Sequence, residues 1–235
     1  MIDSLIKDSI KLVLLLEEVE ILYDKKAIFT IDNNLKAQGG FDYQNIVPSF
    51  TFRSDTINEA NIAHELIHAL QYKQGFPIII KNLTTDKRFD VIKELNSNLL
   101  HIGLVEEMKK REIPIKDYIV NVVEDMKTFI NDDTKVTNMK NAIPERKHYD
   151  ALQLLRLEFE ANYLSKNDKD GIYKMYKKKM PEVYKLFVRM IQIIKKFNMQ
   201  TGEGVALALK EIIKLFSKDK DYSKYSGLLS RKYFK

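Results

Sequence analysis

The stretch from Asn61 to Gly75 reads NIAHELIHALQYKQG, and it places two of the chain's four histidines four residues apart with a glutamate directly after the first. Residues four apart on a helix lie one above the other, so His64 and His68 project from one face and can both reach a single cation at about 2.0–2.1 Å from each ring nitrogen. Glu65 is wrongly angled to join them as a ligand but can touch a water on the same metal. Bound zinc lowers the pKa of such a water to about 7, and a neighbouring carboxylate can then take its proton and pass it to a leaving amine. This is the HExxH arrangement, which needs those three residues at that spacing. Asn61, His64, Glu65, His68 and Gln71 form one polar stripe, while Ile62, Ala63, Leu66, Ile67 and Leu70 cover the other faces. A helix buried around a metal site requires that division. The bland alternative, a core helix that happens to carry two histidines, does not account for the polar stripe.

The rest of the chain limits what the helix can belong to. It has 235 residues, 45% of them hydrophobic, enough to fill a substantial core. With no cysteine it can build neither disulfides nor thiolate metal sites, so a bound metal must use nitrogen and oxygen ligands. The first residues, MIDSLIKDSIKLVLLLEEVEILYD, have a short apolar run from Leu12 to Leu16 and acids where a signal peptide wants basic residues. No apolar stretch reaches the roughly 20 residues of a membrane helix. The expectation is a cytoplasmic protein without a membrane partner.

Apolar residues three and four apart predict a helix from Ile2 to Tyr23. AIFTI (Ala27 to Ile31) and SFTFR (Ser49 to Arg53) are β-branched and aromatic and flank the turn-rich DNNLKAQGGFD, which predicts two strands of a small antiparallel sheet. The second, following Pro48, reads as an edge strand. Ser54, Asp55 or Thr56 is expected to cap the HExxH helix, and Gly75 to end it. Further helices are predicted near Lys87 to Arg111, Lys116 to Asn131, Arg146 to Ser165, Gly171 to Phe197 and Glu203 to Phe216. The fold class is α+β, mostly helical, with a C-terminal helical bundle.

HELIHALQ resembles the active helix of the zincin superfamily of zinc metallopeptidases, and SFTFR resembles the strand that in such enzymes holds an extended peptide by strand addition. The resemblance covers residues 1–111, a catalytic core, and leaves 112–235 as a helical region packed on it. It implies a peptidase acting on a protein or peptide, with Zn2+ as cofactor and Glu65 as catalytic base. Zincins differ in their third ligand, and three candidates stand in this chain. ELNSN (Glu94 to Asn98) resembles the signature of glutamate-type zincins and of the ImmA/IrrE-like metallopeptidases, in which Glu94 binds metal and Asn98 steadies a histidine ligand. His101 lies seven residues later on the same face; beside a Glu94 ligand it would instead be catalytic, hydrogen-bonding the oxyanion. EFEAN (Glu158 to Asn162) matches the same signature, with Glu158 or Glu160 as ligand. His148 and Tyr149 are looser candidates for the oxyanion role.

Charge is unevenly spread. From Lys166 onward 18 Lys and Arg face 7 Asp and Glu, a net of +11, whereas residues 1–165 carry a net of −5. Such a split can mean contact with nucleic acid, or simply a solvated helical face. A metal-binding regulator acting on a protein or DNA partner through these basic helices is therefore the alternative reading. Tyr173, Tyr176, Tyr184 and Phe187 sit among the lysines at helical spacing, which reads more readily as core than as a base-stacking platform.

Overall fold

A computed structural model describes residues 2–79, 86–115, 120–140, 144–161, 164–218 and 221–222. These residues are mostly helical with one small three-stranded mixed sheet, an α+β arrangement. They divide into two compact units, Met1–Phe76 with Leu104–Tyr118, and Pro77–Gly103 with Ile119–Lys235. Among the described residues no helix is long and apolar enough to cross a membrane.

In the first unit the predicted N-terminal helix is two, α1 (Ile2–Asp8) and α2 (Ile10–Tyr23). Ser9 divides them because its hydroxyl accepts from the Leu12 N–H, starting a new helix rather than continuing the old one. The strands are β1 (Ile28–Ile31), β2 (Gly39–Phe41) and β3 (Ser49–Phe52), in the order β1-β3-β2. The expected antiparallel pair is instead mixed. β1 runs parallel to β3, and only β2 is antiparallel to it. A parallel pair needs a long connection, and residues 32–48, which read as turn, supply it and contribute β2 on the way.

β3 is consequently the central strand, not an edge. Pro48 disturbs nothing there, because its carbonyl accepts from the Ile28 N–H at 2.9 Å and the ladder begins at the next residue. Phe50 and Phe52, fully buried, join Leu12, Leu15 and Val19 of α2 in the core that seats the HExxH helix, α3 (Glu59–Lys73). Ser54–Thr56 form a separate 3-10 turn, so the cap of α3 falls to Asn58, whose side chain accepts from the Asn61 N–H at 2.8 Å. Gly75 lies just past the helix with a φ of 81°, a left-handed conformation that glycine adopts without strain.

Helix α4 (Lys87–Lys110) is unbroken, its turns from Leu104 onward counting with the first unit. The second unit otherwise holds α5 (Val120–Asn131), α6 (Asp133–Lys140), α7 (Pro144–Glu160), α8 (Lys166–Lys179), α9 (Pro181–Ile194) and α10 (Gly202–Phe216). The helix expected from Gly171 to Phe197 breaks at Met180, because Pro181 cannot donate into a continuing helix but suits a first turn. Tyr173, Tyr184 and Phe187 pack on one another, and Tyr176 is 2% exposed. Tyr176 and Phe187 are core, with Tyr173 and Tyr184 half-buried beside them.

One residue of this bundle makes stability depend on pH. Asp150 of α7 is buried, and burial pushes its carboxyl up to about 7 against the opposing pull of Arg146. The folded chain therefore keeps this proton up to neutral pH, while the unfolded chain releases it near pH 4. The protein binds more protons folded than unfolded in that window, so this group's contribution falls as pH rises from about 4 to 7 and is level above it. Asp150→Asn should accordingly stabilise the protein at pH 8, by on the order of 2–4 kcal/mol, and have little effect at pH 4. Denaturant melts of both proteins at the two pH values measure it.

Candidate metal centre

Every residue of α3 from Ala60 to Gln71 is buried, the polar stripe included. The rings of His64 and His68 meet edge to face, with centroids 4.6 Å apart and planes at 88°. His68 donates its Nδ1–H to Gln71 Oε1 at 3.0 Å, so Nε2 is the lone-pair nitrogen, the form of imidazole that ligates metals. Gln71, one turn on from His68 along the stripe, thus sets the tautomer of a candidate ligand.

Glu65 is 8% exposed, and the nearer of its oxygens stands 3.9 Å from His64 Nε2. Burial pushes its carboxyl up to about 8, partly opposed by the Phe41 backbone N–H that donates to it. A divalent cation beside it would pull the value back down. The Phe41 bond follows from strand geometry. Asp42 donates to Ser49 and Arg53 to Gln38 across the β2–β3 ladder, so the alternate residues Gly39 and Phe41 turn their backbone groups to the outer edge.

Close packing explains the first of the paired glycines that read as a turn, Gly39. A Cβ there would lie 2.9 Å from the Phe52 ring and 3.3 Å from Glu65 Cγ. β2 can approach α3 this closely only without a side chain at that position. Gly39→Ala should cost about 1–3 kcal/mol as an overpacked contact. Because the intruding methyl presses on Glu65, any Glu65-dependent activity should fall further than the stability loss explains, which parallel melting and activity measurements would reveal.

On α4, His101 stands one turn before Leu104 and is 5% exposed. It donates Nδ1–H to Glu160 Oε1 at 3.0 Å, which makes Nε2 the lone-pair nitrogen of this tautomer. Arg156 adds Nε to the same oxygen at 3.2 Å and Nη2 to the other at 3.3 Å. Burial alone would push the 1% exposed Glu160 carboxyl up, yet His101 and Arg156 outweigh it and hold it below the usual range. Glu160, a candidate ligand on the sequence, is the partner of a histidine. No local signal in the sequence pairs residues 101 and 160.

The ligand atoms of His64, His68 and His101 lie within 4.8 Å of one another, and this buried group could hold a metal ion. Around a tetrahedral ion with bonds of 2.0–2.1 Å, donor nitrogens stand about 3.4 Å apart. The three rings would have to draw closer to grip such an ion, and three imidazoles with no thiolate form a donor set suited to zinc. Glu94 lies outside the group. Its carboxylate accepts from Gln153 Nε2 at 3.4 Å and has Arg156 Nη1 at 3.9 Å. Glu158 accepts from the Tyr173 hydroxyl at 2.6 Å, and Asn162 lies outside the described residues. Asn98 donates to the Leu152 carbonyl at 3.0 Å. His148 stacks on Phe216 with centroids 4.3 Å apart and bonds the Tyr222 hydroxyl at 2.8 Å, a core histidine. Tyr149 lies beneath the Arg146 guanidinium.

Comparison with protein-family models, with curated proteins and with solved structures gives no match for this chain.

Proposed function

We propose that this chain is a zinc-dependent peptidase of the zincin type, in which His64, His68 and His101 hold the metal and Glu65 is the general base. The observation that carries the reading is the buried three-histidine group with the Glu65 carboxylate beside it. Three protein donors leave a fourth position open, the mark of a catalytic rather than a structural zinc site. When bound, zinc would polarise the scissile carbonyl and acidify the attacking water. Glu65, ionised beside the cation, would take that water's proton and return it to the departing amine. Glu160 and Gln71 fix the tautomers of His101 and His68. His101 is thereby assigned to the metal, not to the oxyanion, and Glu94 to neither.

An extended peptide would add to the outer edge of β2. β3 is paired on both sides, whereas Gly39 turns its N–H and C=O outward beside Glu65.

Metal analysis combined with a peptide-library cleavage assay tests the proposal. Purified protein should carry about one zinc per chain and cleave peptides, a chelator should abolish cleavage, and zinc should restore it. Zinc should also raise the melting temperature of the stripped protein by mass action. A chain that neither retains nor rebinds a transition metal would overturn the reading.

A further inference from the structure

A cavity of about 310 Å³ opens within the second unit, lined by residues of α5, α7 and α8. Its polar residue of greatest consequence is Asp150, 4% exposed, whose buried Oδ2 has no hydrogen-bond partner among the described residues. Such a group lacks the full set of bonds a buried carboxylate demands, and the space beside it is large enough for a small molecule. Arg146, one turn away on α7, brings Nε to 3.5 Å from Asp150 Oδ1 while its side chain remains 49% exposed. Arg156 also lines the cavity, but its guanidinium is engaged with Glu160. Met126 and Phe129 supply an apolar wall, and Asp125 sits among the lining residues as an exposed side chain.

These charges select among ligands. A metal cation would meet two guanidiniums and too few oxygen donors. A simple anion would meet the buried Asp150. A molecule carrying an N–H-rich cation beside an anion satisfies both, since its ammonium can donate to Asp150 Oδ2 and its carboxylate can face the half-exposed Arg146. We propose that this cavity binds a free apolar amino acid, with its ammonium on Asp150, its carboxylate at Arg146 and its side chain against Met126 and Phe129. None of the three histidines of the metal group lines this cavity.

Isothermal titration of the whole protein with L-leucine, N-acetyl-L-leucine and L-leucinamide tests it. L-leucine should bind saturably; N-acetyl-L-leucine, which lacks the ammonium, should bind at least about tenfold more weakly. Asp150→Asn should weaken leucine by a similar factor. Arg146→Gln should weaken leucine but leave leucinamide, which lacks the carboxylate, unchanged. That variant reads the site independently, at a half-exposed position. Amino acids also chelate metals, so His64→Ala serves as the control and should bind leucine as the wild type does. No saturable leucine binding, binding that Asp150→Asn and Arg146→Gln leave intact, or binding lost in His64→Ala would each overturn the proposal.

Discussion

Glu65→Gln should leave the metal in place and lower peptide hydrolysis by about two to four orders of magnitude, the range a positioned general base contributes. The amide is nearly isosteric with the carboxylate it replaces, and it can still accept from the Phe41 N–H that donates to Glu65. What it cannot do is accept a proton and hand it on. The fold should not suffer, because burial already disfavours the charged form of Glu65. The three histidines are untouched, so metal content should stay at the wild-type level. Rates and metal analysis on the same preparations separate the outcomes. A variant that keeps its metal and still cleaves within tenfold of wild type would show that another group moves the proton.

The features legible in the sequence are those set by local spacing. The i, i+4 histidines, the glutamate between them and the polar stripe ending at Gln71 all lie on one short helix, so local spacing alone brings them together. What stayed open depended on distant segments meeting. Glu94, Asn98 and His101 share one face of α4, and periodicity cannot say which turn of that face meets the other donors. The group that could hold a metal contains His101, two turns beyond Glu94. The EFEAN signature singles out Glu160, but not its bond to His101, which spans 59 residues. Gly39 and Gly40 read as turn because glycine usually signals one. Here the missing side chain serves close packing of β2 on Glu65, a demand visible only once the strand and α3 are side by side.

Three substitutions, compared by competitive chelator titration, should rank the groups around the metal. His101→Ala removes one of three donors and should weaken zinc by more than 100-fold, exceeding what a supporting residue can cost. Glu160→Ala leaves His101 present but unanchored, without the acceptor that holds its Nδ1–H and so makes Nε2 the lone-pair nitrogen. Outer partners of this kind cost 10–100-fold in metal affinity. It also strands the Arg156 guanidinium, which now rests on both Glu160 oxygens, so some loss of stability should accompany the weaker binding. Glu94→Ala should leave zinc affinity within about threefold of wild type, because that carboxylate faces Gln153 and Arg156 rather than the histidine group. The order is more informative than any single value. Were Glu94→Ala to empty the site while His101→Ala kept its zinc, the ligand set would be the glutamate type that ELNSN resembles, and His101 would return to the oxyanion role. The graded series expected here arises only if the third donor is an imidazole gripped from behind by a buried carboxylate.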